Sequence, residues 1–149
     1  MKTLFQKETA DEIINRINSL SPNAQRLWGK MNVDQMLVHC SISMKTATGE
    51  LFLKSGFLLK LVGSLFKNQT TNDKPFRTGS PTHKGLTIGE IKGFESERKE
   101  LISQINKFQN GGEEICTTNP HAFFGKLSPL QWGSLMYKHT DHHLRQFGV

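Results

Sequence analysis

The segment MYKHTDHHLRQ (residues 136–146) concentrates side chains that bind metals. Three of the six histidines in the sequence, His139, His142 and His143, fall within five consecutive positions. Neutral imidazoles are common ligands of divalent transition metals. The same composition is also compatible with a polar helix end that is rich in histidine. The sequence therefore leaves two interpretations open at this point, a metal site or a solvated helix terminus.

Helical periodicity separates these three histidines. At about 100° per residue, His139 lies close to the mean apolar direction of its helix, and His143 lies within about 30° of that direction. His142 lies about 70° away on the other side, so we interpret it as a rim residue. Two inward histidines at positions i and i+4 can bind one cation from a single helix face, as they do in zinc-binding helices. The apolar direction is defined by Trp132, Leu135 and Met136.

Two other polar residues of the same helix have different orientations. Gln146 lies on the face of His139 and His143, so it could hydrogen-bond a ligand or a substrate, or it could belong to a polar helix end. Asp141 points about 160° away from those histidines, which makes it a poor hydrogen-bond partner for them.

A third candidate ligand, His39, lies in the segment DQMLVHCS. The main apolar stripe of its helix, which includes Met36 and Cys40, is centred more than about 90° from His39. Val38 makes the other side of the helix apolar as well, so the helix could be buried on two faces. Periodicity therefore does not decide whether His39 is a ligand. Cys40 diverges from His39 by about 100°, which favours a buried small side chain over a covalent role.

Helix-start and helix-stop signals predict four main helices. Capping boxes are present in TADE, NVDQ and SPLQ, and a Gly-Gly pair stops the helix that contains FESERKEL. The predicted helices run from Thr9 to about Leu20, from Asn32 to about Ala47, over residues 94–112, and from Ser128 almost to the last residue. We expect one all-α domain over residues 1–149, a four-helix bundle.

The connecting segments carry weaker signals. Ser21-Pro22 predicts a short extra helix that ends near Gly29. Residues 68–85 form a long polar loop between the second and third main helices, and residues 86–91 (LTIGEI) give only a weak strand signal. Lys74, Arg77 and Lys84 of this loop could receive an anionic substrate, although an ordinary solvated loop has the same composition. His83 and His121 are expected to be surface residues.

Composition limits the partners and the compartment. The net charge is +6, but the lysines are dispersed, so no nucleic-acid partner is expected. The apolar run of residues 51–66 is too short and too charged to span a bilayer, and packing in the core or at a dimer contact is favoured over a membrane surface. Two cysteines make no disulfide framework, and residues 1–13 show no secretory signal. We therefore expect a cytoplasmic protein.

Two segments resemble a known superfamily. Residues 28–40, which end in NVDQMLVHC, and residues 119–149, NPHAFFGKLSPLQWGSLMYKHTDHHLRQFGV, resemble the DinB/YfiT-like superfamily. Within it they look like a subgroup of bacterial proteins known only as a domain of unknown function. The resemblance covers most of the chain and is most specific in residues 119–149. It implies a four-helix bundle, usually dimeric, in which a metal is held by one histidine of the second helix and an H-x-x-x-H pair of the last.

Carried over to this sequence, the implied ligands are His39, His139 and His143. The resemblance, and not the periodicity, assigns His39. Three neutral imidazoles leave coordination positions open for water or substrate. Zn²⁺ or Ni²⁺ is the expected metal, with Fe²⁺ or Mn²⁺ as alternatives. Such a metal could lower the pKa of bound water or activate a thiol as its thiolate.

The resemblance also implies a class of function. Some relatives transfer or isomerise groups with low-molecular-weight thiols, and others look like metal-dependent hydrolases. We therefore expect a metal-dependent transferase or hydrolase with a small-molecule substrate, a low-molecular-weight thiol being one candidate. The alternative is a non-catalytic dimeric bundle that acts as a binding or stress-response module. His142 and Gln146 are candidates for contacts to a ligand or a substrate.

Overall fold

The computed structural model describes residues 1–54, 56, 62–72, 74–79, 91 and 93–149. Within these ranges the chain is helical and contains no strand, which confirms the predicted all-α class. Short 3₁₀ turns occur at Lys67–Gln69 and Gly112–Ile115. The four long helices are α1 (Lys7–Ser19), α2 (Val33–Ala47), α3 (Phe94–Gly111) and α4 (Pro129–Gln146).

Reciprocal caps fix the starts of α2 and α4, the two helices that carry the clustered histidines. At α2, Asn32 Oδ1 accepts from the Gln35 amide at 2.8 Å, and Gln35 Oε1 accepts from the Asn32 amide at 2.9 Å. Ser128 and Gln131 form the same box at α4, where Pro129 is the first helical residue. Each cap satisfies backbone N–H groups that would otherwise have no partner, at about 1 kcal/mol of stabilisation. Both predicted starts are confirmed.

Helix α1 begins earlier than the sequence predicted. Its N-cap residue is Gln6, whose carbonyl oxygen accepts from the amides of Thr9 at 3.1 Å and Ala10 at 3.0 Å. Thr9 is therefore inside the first turn, and its hydroxyl donates to Gln6 Oε1 at 3.2 Å. The predicted Thr9 cap was wrong because the hydroxyl bonds backwards to a side chain instead of forwards to a backbone N–H.

The short extra helix predicted for residues 21–29 is absent, because this segment consists of turns and bends. Its backbone is tied to α4 instead: the Leu27 amide donates to the carbonyl oxygen of Gln146 at 2.7 Å. A helix here would direct the Leu27 amide into its own segment. The Ser21-Pro22 signal therefore starts only a turn, closed by the Ala24 amide on the Ser21 carbonyl at 3.0 Å.

Several predictions on the connection between α2 and α3 lie outside the described residues. These are the weak strand at residues 86–90, the side chains of His83 and Lys84, and part of the long loop. The described part of that loop is turns and one 3₁₀ turn, and Ile91 is not in a strand.

The long helices pack so that α1 and α2 each contact both α3 and α4. Helix α2 is buried on two sides, since Met36 and Leu37 are fully buried while Val38 and His39 are only 9% and 2% exposed. Cys40 is fully buried in the same core, as expected for a small apolar residue. Double-sided burial of α2 therefore carries His39 into the interior against α4. No helix in the described ranges has the length and apolarity needed to cross a bilayer.

Candidate metal centre

Three imidazoles from two helices meet inside the protein. His39 of α2 and His139 and His143 of α4 have ring centroids 4.8, 4.7 and 4.8 Å apart, close to an equilateral triangle. Their ligand nitrogens all lie within 4.8 Å of one another, and Nε2 of His39 lies 2.9 Å from Nε2 of His139. His139 and His143 of α4 thus lie next to His39 of α2, and this cluster could hold a metal ion.

Burial keeps the three imidazoles neutral. Loss of hydration lowers the pKa of His39 to about 4 and that of His143 to about 3, and it holds the pKa of His139 well below 6.5. Repulsion by neighbouring histidines adds to each of these shifts: His142 lowers the pKa of His39, and His39 lowers the pKa values of His143 and His139. Metal ligation requires the unprotonated nitrogen. At neutral pH the cluster therefore needs no deprotonation before it can bind a cation.

The distances allow a fit to one ion with a small adjustment. Metal–nitrogen bonds of about 2.1 Å place two ligand nitrogens about 3.0 Å apart at a right angle and about 3.4 Å apart in a tetrahedron. The 2.9 Å pair of His39 and His139 meets this condition. The ligand nitrogens of the cluster are up to 4.8 Å apart, which is more than the tetrahedral separation of about 3.4 Å. The most distant nitrogens must therefore approach each other by on the order of 1 Å. A change in ring orientation is sufficient for a movement of this size.

Gln146 orients the ring of His143. The side-chain Nε2 of Gln146 donates to the carbonyl oxygen of Trp28 at 2.7 Å, which leaves Oε1 of the same amide as the group facing His143. This Oε1 lies 2.9 Å from Nδ1 of His143, so Nδ1 carries the hydrogen and donates. The lone pair of His143 is then on Nε2. Fixing a ligand tautomer through its second nitrogen is a common feature of metal-binding histidines.

Gly29 permits this contact. Its φ is +80°, and a Cβ at this position would lie 2.4 Å from Nε2 of Gln146. A side chain would therefore be strained by its backbone conformation and would also displace the amide that bonds Trp28. The turn that follows Trp28 is thus shaped around Gln146, and Gln146 is only 3% exposed.

The other two rings lack such a partner. The Nδ1 atoms of His39 and His139 are buried and have no hydrogen-bond partner among the described residues. The Nε2–Nε2 contact is a hydrogen bond only when one of the two Nε2 atoms carries a hydrogen. The other neutral ring then carries its hydrogen on Nδ1, where it is buried and unpaired. The cluster therefore contains at least one buried donor without a partner among the described residues, at a cost on the order of 1–3 kcal/mol.

His142 lies beside the cluster but is not part of it. Its ring is half-buried, 5.2 Å from that of His143, 5.9 Å from Trp28 and 6.3 Å from Phe76, measured between centroids. Loss of hydration lowers its pKa. The structure therefore places His142 at an aromatic rim next to the cluster, the position that periodicity predicted.

Asp141 faces away from the histidines, as the helical wheel predicted. Its carboxylate accepts from Nη1 of Arg16 on α1 at 2.8 Å and pairs with Nε of Arg145 at 3.0 Å. It is only 6% exposed. Asp141 therefore holds α1 against α4, and it contacts none of the clustered imidazoles.

His121, which was expected at the surface, is half-buried in the connector that precedes α4. Nδ1 of His121 accepts from the amides of Phe123 at 3.0 Å and Phe124 at 3.1 Å. Its half-buried ring packs against Phe124 and Trp132 at 5.0 and 5.4 Å between centroids. His121 therefore closes the connector that leads into α4. The Trp28 carbonyl was also missed, because no sequence pattern marks a backbone atom as the partner of a glutamine 118 residues away.

The chain was compared with protein families, curated proteins and solved structures. Residues 2–148 match the family described as "Protein of unknown function (DUF1569)". The chain belongs to this family. No curated protein and no solved structure matches it. Family membership therefore supports a shared domain over nearly the whole chain, and any assignment of chemistry depends on the histidine cluster.

Proposed function

We propose that this DUF1569 protein is a metal-dependent enzyme of the DinB/YfiT-like type, a four-helix bundle with a three-histidine divalent-metal site. The observation that carries the proposal is the convergence of His39, His139 and His143, three neutral imidazoles from segments 100 residues apart, of which His39 and His143 are buried and His139 is half-buried. Loss of hydration lowers the pKa of each ring, so at neutral pH the cluster offers nitrogen lone pairs to a cation without prior loss of a proton. A cation would use the lone pairs that face the centre of the cluster.

The donor set favours a catalytic over a structural site. Structural zinc sites use four protein ligands, whereas catalytic sites use three and keep a position for water or substrate. Among the described residues, only three histidines form the cluster, and no cysteine or carboxylate completes it. The all-nitrogen set suits Zn²⁺ or Ni²⁺ best, with Fe²⁺ and Mn²⁺ as weaker alternatives.

Within this proposal, each residue has a defined task. His39, His139 and His143 hold the metal, Gln146 keeps the Nε2 lone pair of His143 directed at the cluster, and the rim at His142 faces an incoming molecule. The metal would supply the Lewis acidity that activates a thiol or a water molecule. The reaction class that follows is thiol-dependent group transfer or metal-assisted hydrolysis on a small molecule. We further propose a cytoplasmic homodimer.

One observation favours the alternative function, a non-catalytic dimeric bundle that acts as a binding or stress-response module. The 2.9 Å separation of the Nε2 atoms of His39 and His139 is also that of a direct hydrogen bond. In that case the imidazoles bind each other and pack the interface between α2 and α4. Removal of divalent metals would then change neither the fold nor the binding of ligands.

Metal content separates these proposals. The purified full-length chain is analysed for its elements, stripped with a chelator and titrated with Zn²⁺ and Ni²⁺. Parallel titrations use His139→Ala and, as a matched control, His142→Ala. We expect about one equivalent of metal for the wild type and for His142→Ala, and none for His139→Ala. A metal-loaded protein is then screened for activity with low-molecular-weight thiols and hydrolysable esters.

Two results would contradict the proposal. The metal site fails if the stripped wild type binds Zn²⁺ and Ni²⁺ no better than His139→Ala does. The enzymatic part fails separately if the loaded protein binds metal in full but no thiol or ester substrate reacts faster than with His139→Ala.

A further inference from the structure

A cleft lies on a face of α4 that does not carry the clustered histidines. It has a volume of about 240 Å³ and contains none of the three clustered histidines. Its walls come from the start of the chain, from the segment after the first 3₁₀ turn, and from one face of α4. The residues that line it are Met1, Lys2, Asn72, Lys74, Pro75, Ser134, Tyr137, Lys138, Asp141 and Arg145.

The cleft is strongly basic. Among the described residues that line it, four side chains are cationic and one is anionic, which gives these residues a formal charge of +3. The cations are Lys2, Lys74, Lys138 and Arg145. They come from three separate parts of the chain, so the charge arises from the fold and is not visible as a run in the sequence. Low-dielectric walls concentrate the field of such a group of charges.

Asp141, the one acidic residue among the described residues of the lining, is already compensated. Asp141 is held by the guanidinium groups of Arg16 at 2.8 Å and Arg145 at 3.0 Å. Arg145 uses Nε for this contact, which leaves Nη1 and Nη2 for a ligand, and its side chain is 54% exposed. Asp141 therefore orients Arg145 at the cleft instead of repelling an anion from it.

Lys138 fixes the opposite wall. It is only 7% exposed, and its ammonium donates to the carbonyl oxygen of Gln69 and, at 2.9 Å each, to the carbonyl and side-chain oxygens of Asn72. Ser134 Oγ donates to the Thr70 carbonyl at 2.6 Å beside it. Asn72 Oδ1 also accepts from the Lys74 amide at 3.1 Å, so this wall carries Lys74 into position.

We propose that this cleft binds a small phosphorylated molecule. A phosphomonoester carries close to two negative charges at neutral pH, which matches the excess of positive charge. The fork of Arg145 suits two phosphate oxygens, while Lys74 acts as a point charge. Lys2 is already paired with Glu12 at 2.5 Å and contributes less. The volume exceeds that of inorganic phosphate alone, and the ring of Tyr137, over which Lys2 Nζ lies at 5.6 Å, offers a surface for an organic body.

The test is a titration of the isotopically labelled, metal-stripped full-length chain with phenyl phosphate, followed by amide chemical shifts. The same titration with inorganic phosphate tests the contribution of the organic body. Lys74→Gln removes one cleft charge at an exposed position, so the fold should be retained. Lys99→Gln, on the exposed side of α3, removes the same charge outside the cleft and serves as the control.

We expect saturable shifts at Ser134, Tyr137 and Arg145, and weaker binding of inorganic phosphate than of phenyl phosphate. Lys74→Gln should weaken binding of phenyl phosphate by about threefold or more, and Lys99→Gln should leave it unchanged. The proposal is overturned if no saturable shifts occur, if both variants weaken binding equally, or if the shifts centre on His39 and His143. Because the protein is stripped of metal, this result does not depend on the proposed metal function.

Discussion

The side chains of Gln146 and His143, one turn apart on α4, are joined by a hydrogen bond of 2.9 Å from the imidazole to the amide oxygen. Its direction follows from the other end of Gln146, which donates to the Trp28 carbonyl at 2.7 Å. The loop before α2 thereby determines which nitrogen of His143 carries the lone pair. A residue that touches no metal can thus control how well the cluster binds one.

Gln146→Leu should weaken metal binding without abolishing it. The substitution removes the acceptor that holds Nδ1–H of His143, so the ring loses its fixed tautomer, and we expect affinity for Zn²⁺ to fall about 10- to 100-fold. Competition with a chromophoric chelator measures this change. Gln104→Leu is the matched control, since it removes a buried amide on α3 that lies outside the cluster. Equal losses in both variants would show that the effect is general destabilisation.

Gly29→Ala should disturb the same hydrogen bond between His143 and Gln146, because residue 29 lies in the loop that contacts the Gln146 side chain. Alanine at φ +80° costs about 1–2 kcal/mol, and its Cβ would lie 2.4 Å from Nε2 of Gln146. Gly79→Ala is a close control, because Gly79 has φ +75° and a Cβ there would meet none of the described residues within 4 Å. Both variants should be destabilised in denaturant unfolding, but only Gly29→Ala should also bind Zn²⁺ more weakly. Unchanged affinity in Gly29→Ala would argue against the role of the loop.

The sequence predicted the helical framework of the site because its signals are local. The capping boxes at Asn32 and Ser128 involve residues three positions apart, and both formed as predicted. The inward direction of His139 and His143 followed from the period of one helix. The all-α class and the ends of α2 and α3 were predicted for the same reason.

What the sequence could not predict depends on contacts between distant segments. Periodicity left His39 undecided, because α2 is buried on two sides and a histidine away from its main stripe can still be interior. The helix predicted after Ser21 does not form, and the Leu27 amide of this segment instead donates a hydrogen bond to the Gln146 carbonyl oxygen. The basic cleft joins Lys2, Lys74 and Arg145, which no local pattern connects.

Stability should depend on pH between about 4 and 6.5 through the histidine cluster. Burial lowers the pKa of His39 to about 4 and of His143 to about 3, from 6.5 in the unfolded chain. In this window the unfolded chain binds more protons than the folded one, so the free energy of unfolding rises with pH. Above about pH 6.5 the histidines are neutral in both states and no longer lower the stability.

Urea unfolding of metal-stripped protein at pH 5.0, 5.5, 6.0 and 7.0, about the range over which these groups titrate on unfolding, measures this dependence. Above about pH 5 the carboxylates contribute little, because their usual pKa values lie near 4. His143→Gln should therefore show a smaller loss of stability between pH 7.0 and 5.0 than the wild type. An identical slope in the variant would contradict the buried, neutral state of His143.

The ion pair of Asp141 should affect stability and leave metal binding intact, the reverse of the histidine variants. Asp141→Asn removes the negative charge that compensates Arg16 and Arg145, and Arg16 is only 21% exposed. We expect a loss of about 2 kcal/mol in the free energy of unfolding, with metal stoichiometry unchanged. Asp11→Asn provides the control, since its ion pair with Lys7 is exposed to solvent and its loss should cost much less than the loss of the Asp141 pair. If Asp141→Asn lost its metal while remaining folded, Asp141 would act on the cluster through α4, contrary to its outward orientation.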